Sequence, residues 1–165
     1  MGLDITAFSH TEDIGIPPEG FGWWEELDVL YLCVNNDGSF HRSGRGLTNH
    51  HLYRTTGESH STGFRAGSYS GYNYWRSGLA VFATGHTVES YWGTEGDIDL
   101  PFYELINFTD CDGAIGWVAA SDLLTDFNDH YDAYTQTHDE WEIGLYESWT
   151  EACKVASDNG LIWFH

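Results

Sequence analysis

The order of strand and helix patterns along the chain constrains its fold more than any other feature. Strand patterns come early: Leu3 to Phe8 alternates between apolar and polar residues, and Val29 to Val34 is a short apolar run followed by a turn at 35–38, as in a hairpin. Two helical patterns come late, one starting at Ser121 and one running from about Asp139 to Gly160. This irregular order favours an α+β sandwich over a doubly wound sheet.

Four further segments complete the expected elements. A helix is predicted to begin near Gly71, with Ser70 as its N-cap, and to end at Gly85. The run 102–108 resembles a strand, and 161–164 is expected to be a closing strand. The stretch 44–71 is rich in Gly, Ser and Thr with little periodicity, which predicts a long, partly ordered loop.

Together these patterns predict one α+β domain spanning residues 1–165. Its sheet is expected to be mostly antiparallel, with about three helices packed on it and a long Gly/Ser-rich loop. A length of 165 residues suits a single domain of ordinary size. We see no internal repeat and no tract of low complexity in the sequence.

The charge of the chain excludes some classes of partner. Its formal net charge is -20, so most of the surface is expected to repel nucleic acid and anionic membranes. The first ten residues lack the basic and apolar regions of an export signal, and no run of 18 apolar residues occurs, so we expect a cytosolic location. Three cysteines without CxxC spacing predict neither a disulfide framework nor a zinc knuckle, and no cofactor is expected.

The cationic side chains are concentrated in one part of the sequence. Five of the six lie between residues 42 and 76, and Glu58 is the only carboxylate there, so this stretch carries +4 and the remainder -24. Such a contrast favours a segment that attracts a compact anion. The five residues are Arg42, Arg45, Arg54, Arg65 and Arg76.

The end of this basic stretch predicts an anion-binding site. Two glycines allow tight turns, two serines offer hydroxyl groups, and the start of a helix leaves backbone N–H groups unpaired. An arginine on either side could hold a phosphate or carboxylate through paired hydrogen bonds, and tyrosine rings could stack on a base. The predicted ligand-binding residues are Arg65, Gly67, Ser68, Tyr69, Ser70, Gly71, Tyr72 and Arg76.

Other interpretations of these motifs stay open. The spacing of 65–76 matches neither a P-loop nor a nucleophile elbow, so the segment could be an ordinary capped helix with core aromatic residues. The turn Asp110-Cys111-Asp112 could hold a metal ion or a reactive thiol, although an acidic turn is more often only a turn. His130 shares a helical face with Asp126 and Asp129, which could supply acid–base groups or metal ligands.

Several motifs resemble a family of small, uncharacterised proteins of tailed phages and prophages. The resemblance is carried by Met1–Ala7, by Phe64–Asn73 followed by Trp75-Arg76, by Glu104–Gly113 with Ile115-Gly116, and by Phe164-His165. It implies a viral origin and expression in the cytoplasm of a bacterial host. It implies no fold, activity or catalytic residues.

The leading hypothesis from the sequence is a phage accessory protein that binds and sequesters a phosphate-bearing, nucleotide-like molecule, such as an immune signalling nucleotide of the host. One alternative is an acidic mimic of DNA that inhibits a host defence or nucleic-acid-binding protein. Another is a hydrolase of a nucleotide-like ligand using Asp110, Asp112 or His130. Neither nucleic acid nor membrane is an expected direct partner, and homo-oligomerisation stays open.

Overall fold

The computed structural model describes residues 2–17, 19, 29–31, 42–92, 99–109 and 113–165. The strands are β1 (Gly2–Phe8), β2 (Thr11–Gly15), β3 (Val29–Tyr31), β4 (Leu52–Thr55), β5 (Ser61–Ser68), β6 (Gly113–Gly116) and β7 (Leu161–Phe164). The helices are α1 (Tyr69–Thr84), α2 (Tyr103–Ile106), α3 (Trp117–Thr135) and α4 (Glu140–Ala156), with a 3-10 turn at Val88–Ser90.

The larger sheet is built around β1. Its strand order is β5-β1-β7-β6, and all its pairings are antiparallel. Leu3, Ile5 and Ala7 are buried on one face of β1, whereas the residues between them are half-buried. This alternation is what a strand needs when one face covers a core and the other meets solvent.

Helices cover the apolar face of the larger sheet. The helix α4 packs on β1, β5 and β7, and α3 lies along α4. Aromatic rings fill the space between them: Trp75 of α1 stacks on Trp149 of α4 at 6.1 Å, and its Nε1 donates a hydrogen bond to the Tyr134 hydroxyl at 3.1 Å. Large rings bury much apolar area per residue, so this cluster supplies a major part of the core.

A smaller sheet of three strands lies beside the larger one. Its order is β2-β4-β3, again antiparallel, with Tyr53 and Leu52 of β4 buried. Two carbonyls of the segment before β4, those of Ser43 and Arg45, accept backbone N–H bonds from Gly116 and Val118 at the start of α3. That segment therefore satisfies the N–H of the N-cap residue Gly116 and one N–H of the first turn of α3, that of Val118.

The prediction of an α+β domain with a mostly antiparallel sheet is confirmed. The strands β1 and β7 lie where the sequence predicts them, and α4 begins after the N-cap Asp139 with a capping box to Glu142. The helix α1 starts two residues earlier than predicted, with Ser68 rather than Ser70 as its cap, and α3 starts at Trp117 rather than Ser121. The second arm of the predicted hairpin, 39–41, lies outside the described residues.

Two local predictions are wrong. The stretch 44–71 contains β4 and β5, so much of it is sheet. These strands form because β5 pairs with β1 and β4 pairs with β2, and such long-range pairing leaves no clear periodicity in the sequence. The run 102–108 is not a strand but contains the helical turn α2. Phe102, Leu105 and Ile106 are all fully buried there, and a compact turn buries both faces of such a short apolar run.

Among the described residues, no helix combines the length and the apolar character that crossing a membrane requires.

Candidate functional site

A β-bulge brings Arg65 and Ser68 onto one face of the sheet. In the pairing of β1 with β5, Gly2 lies opposite Ser68 and Asp4 opposite Arg65, so Ala66 is an extra residue on β5. Side chains three residues apart on a regular strand point to opposite faces, and one inserted residue reverses this. Both side chains are consequently exposed on the face away from the core.

The guanidinium group of Arg65 reaches toward the end of β5. It lies so close to Gly2 that a Cβ there would be 1.9 Å from its Nη2 atom, and Gly2 is the residue opposite Ser68. Its Nη1 atom lies 3.6 Å from Asp4, and 61% of the side chain is exposed. Since an exposed ion pair at this distance contributes little, the guanidinium is available to an anion from solvent.

The junction between β5 and α1 presents hydrogen-bond donors. Gly67 adopts φ 115°, which a residue with a side chain rarely does, and this turn places Ser68 as the N-cap. The Oγ of Ser68 accepts from the Gly71 N–H at 3.0 Å and lies 3.2 Å from the Oγ of Ser70. Among the described residues, the backbone N–H groups of Tyr69 and Ser70 have no partner.

Two predicted site residues are not available to a ligand. Tyr72 is fully buried, with its ring packed against Trp75, Trp149 and Phe164, so the prediction that it stacks on a base is wrong. Arg76 is 6% exposed, and its guanidinium donates to the Phe108 carbonyl and the Asn73 side chain and lies over the Tyr72 ring. Arg76 therefore joins α1 to the chain after α2 instead of gripping an anion.

The remaining arginines do not form a common basic surface. Arg42 and Arg45 both pair with buried Glu104, at 3.1 and 2.8 Å, and Arg45 also reaches Asp122. Arg54 pairs with Glu12 across the smaller sheet at 2.7 Å. The +4 segment of the sequence is thus dispersed in space, because the strands and turns that carry these arginines bring Arg42 and Arg45 to Glu104 and Arg54 to Glu12.

The aromatic part of the predicted site is only partly exposed. Tyr69 is half-buried against the main core, whereas Tyr74 is 80% exposed. Tyr74 lies four residues after Ser70, and residues at this spacing are neighbours on one face of a helix. Sequence reasoning chose Tyr72 instead; the spacing of Tyr72, Trp75 and Leu79 on the apolar face was the signal that Tyr72 belongs to the core.

Of the acid–base groups considered from the sequence, His130 does not lie at this junction. His130 donates from Nδ1 to the Asp126 carbonyl and packs against Phe82, near the C-terminal end of α1. At 1.5 Å per residue, Phe82 lies about 20 Å along the helix from Ser68. Asp110 and Asp112 lie outside the described residues, and within the described part of the chain no three His, Cys, Asp or Glu side chains are grouped to hold a metal ion.

Asp126, which lies four residues before His130 on α3, has a raised pKa. Burial, with Glu104 and Asp122 nearby, raises the pKa of its carboxyl to about 6, although the Phe102 N–H bonds it at 2.7 Å and His130 favours its ionised form. Phe102 adopts φ 59°, an unusual conformation for a residue with a side chain. The hydrogen bond from the Phe102 N–H to this carboxylate stabilises the turn before α2 and joins that turn to α3.

Comparison with known proteins adds no assignment: no family model, no curated protein and no solved structure matches the chain.

Proposed function

We propose that the protein binds a phosphate-bearing, nucleotide-like small molecule at the junction of β5 and α1, and holds it without cleaving it. One observation carries the proposal: the exposed Arg65 guanidinium, the hydroxyls of Ser68 and Ser70, and the unpaired N–H groups of Tyr69 and Ser70 lie at the same end of β5. A guanidinium and a helix N-terminus both favour a compact anion.

The proposed site is smaller than the one predicted from sequence. Phosphate oxygens would be held by Arg65, by the serine hydroxyls and by the first turn of α1. Gly67 before that turn and Gly71 within it keep the backbone accessible. The exposed ring of Tyr74 would serve as the surface on which a base stacks, in the role first expected of Tyr72. Such stacking contributes about 1–3 kcal/mol per base where it is well formed.

The biological setting is part of the same proposal. The resemblance to phage proteins implies synthesis in the cytoplasm of an infected bacterium, where signalling nucleotides activate host defence. A protein that retains such a nucleotide without consuming it acts stoichiometrically, so its concentration in the cell must match that of the signalling nucleotide. Sequestration also needs no acid–base group at the junction, consistent with the distance of His130 from Ser68.

Calorimetry with cyclic dinucleotides, ADP-ribose derivatives and common nucleotides tests this function. We expect heat with at least one of them and an affinity loss of about tenfold or more in Arg65→Ala. Arg54→Ala is the matched control, because it removes an equally accessible guanidinium from the smaller sheet. The proposal fails if no ligand gives heat, or if both variants lose affinity equally.

A second candidate function is an acidic mimic of nucleic acid that occupies a host protein. It is favoured by the dispersal of the arginines into internal ion pairs, which leaves α3 and α4 with exposed carboxylates. Neighbours at helical spacing, such as Asp129 with Asp132 and Glu147 with Glu151, present negative charge at regular intervals. The exposed carboxylates of these helices are Asp129, Asp132, Glu140, Glu147 and Glu151, of which Glu151 pairs with Lys154, together with Asp122, which pairs with Arg45.

Salt separates the two candidates. A charge-based complex should weaken steeply above physiological ionic strength, whereas a ligand held by directed hydrogen bonds should be less sensitive. Immobilised protein exposed to bacterial lysate should return one basic nucleic-acid-binding protein that elutes with salt. Recovery of no such protein, or retention that salt does not change, counts against the mimic.

A further inference from the structure

A polar cavity of about 530 Å³ lies beside the smaller sheet, at the opposite end of β1 from the proposed anion site. Its walls come from β2, from the residues before and after β4, and from Asn159 after α4. Phe8 pairs with Ser61 near this end and Gly2 with Ser68 at the other. At the rise of a strand these ends lie about 20 Å apart, so the cavity is separate from the anion site.

The lining of the cavity is rich in acceptors. The carboxylates of Glu12, Asp13 and Glu58 line it together with several hydroxyl groups. Among the residues that the structure describes, its lining includes one histidine, His10, and no lysine or arginine. Glu12 pairs with Arg54 on β4. The carboxylate of Glu58 has no hydrogen-bond or ion-pair partner among the described residues, so one negative charge at the rim is uncompensated.

Asp13 is held in a fixed orientation at the cavity wall. Its carboxylate accepts from the Gly15 N–H at 2.8 Å, from His51 Nδ1 at 2.8 and 2.9 Å, and from the Tyr53 hydroxyl at 3.3 Å. Burial opposes ionisation, but these bonds outweigh it and keep the pKa of Asp13 below its usual value. The cavity therefore contains an oriented carboxylate that stays charged at neutral pH.

The Tyr53 hydroxyl is a second fixed group in the wall. Tyr53 is 5% exposed, and its oxygen accepts from the Thr48 N–H at 2.6 Å while donating to Asp13. Burial raises the pKa of this phenol, and the nearby Asp13 charge adds to the effect, so the hydroxyl keeps its proton. A ligand meets a neutral phenol beside a carboxylate, with Glu58 on another part of the lining.

We propose that this cavity binds a small organic cation, such as a linear polyamine, with one ammonium group on Asp13 and another near Glu58. An ammonium group donates up to three hydrogen bonds and accepts none, which matches a lining of carboxylate, hydroxyl and amide oxygens. The cavity volume falls within the range of small-molecule sites. The orientation of Asp13 is set before binding, so ligand entry requires little reordering.

A titration with spermidine followed by NMR tests the proposal. At about 150 mM salt, diffuse attraction to an acidic protein is screened, and the amide signals of Gly15 and Thr48 should shift because their N–H groups bond Asp13 and Tyr53. We expect Asp13→Asn to weaken spermidine binding about tenfold or more. The matched control, Asp132→Asn, removes an exposed carboxylate from α3 and should change the affinity less than about twofold.

A second variant guards against loss of structure in Asp13→Asn. Glu58→Gln changes an exposed side chain at the cavity and should weaken spermidine binding about threefold, with the amide pattern of the free protein preserved. Equal effects of Asp13→Asn, Glu58→Gln and Asp132→Asn would show only diffuse attraction and overturn the proposal. Spermidine shifts confined to residues outside the cavity would overturn it as well.

Discussion

Replacing Asp126 by Asn should stabilise the protein at neutral pH. The folded state raises the pKa of this carboxyl from 3.8 to about 6, chiefly through burial. At 1.36 kcal/mol per pKa unit, keeping it ionised costs about 3 kcal/mol, which solvent near a half-buried group reduces to about 2. Asn lacks the charge but retains an oxygen that can accept the Phe102 N–H.

The pH dependence gives the sign of this effect. The pKa of Asp126 is higher in the folded state than in the unfolded state, so the protonated carboxyl contributes to stability. This contribution is complete below about pH 4 and is lost as the pH rises through 6. Asp126→Asn does not lose it, so the advantage of the variant over the parent protein should grow from pH 5 to pH 8. By this linkage, about half of the full difference is expected at pH 5.

Urea denaturation at several pH values between 5 and 8 measures this difference. The control is Asp129→Asn, which removes an exposed carboxylate from the same helix and reports the general relief of charge repulsion in an acidic protein. The reasoning is refuted if Asp126→Asn is no more stabilising than Asp129→Asn at pH 8. It is also refuted if the advantage of Asp126→Asn shrinks as the pH rises.

Three further substitutions test the packing. Glu104→Gln should lower the free energy of unfolding by about 3–5 kcal/mol, because it leaves the guanidinium groups of Arg42 and Arg45 without their buried partner. Gly160→Ala should destabilise by about 1–3 kcal/mol or more, since its Cβ would lie 1.8 Å from the Phe8 carbonyl oxygen. Ser68→Ala should cost about 1 kcal/mol through loss of the α1 cap. Thermal and urea denaturation measure all three.

Gly78→Ala is the control for the glycine substitution. Gly78 lies within α1, where an added Cβ meets nothing within 4 Å, so alanine should stabilise by about 0.5–1 kcal/mol. A loss of stability in this variant similar to that of Gly160→Ala would contradict the proposed backbone contact. For Glu104→Gln, a change in the free energy of unfolding below about 1 kcal/mol would contradict this reasoning, because it would mean that water hydrates Arg42 and Arg45 once Glu104 is neutral.

Local patterns allowed part of the fold to be predicted. The alternation of 3–8 predicts β1, and the apolar spacing after Asp139 predicts α4, although the helix ends at Ala156 with Ser157 as its C-cap rather than at Gly160. Strand alternation and helical spacing depend on residues that are close in the sequence, so both can be recognised without knowledge of the tertiary structure. The helical turn α2 escaped prediction because a short apolar run fits a buried strand equally well.

The candidate anion site was predictable only in its local parts. A serine followed by a helical pattern indicates a cap, and the sequence places the helix start within two residues of the observed one, with Ser70 in place of Ser68 as the cap. Whether Tyr72 or Tyr74 faces solvent depends on which side of α1 packs against α4, although the apolar spacing already favoured burial of Tyr72. The burial of Arg76 depends on the carbonyl of Phe108, which is 32 residues away in the chain.

The sequence by itself determined an acidic α+β chain with a capped helix shortly after Arg65, but not the strand β5 that carries this arginine. The tertiary structure alone decided where the positive charges lie, because Arg42, Arg45 and Arg54 meet carboxylates on elements distant in the sequence. It also decided the cavity at Asp13, which forms only when β2, β4 and the turn after α4 come together. Charge and periodicity are properties of consecutive residues, whereas a binding site depends on distances between elements that packing brings together.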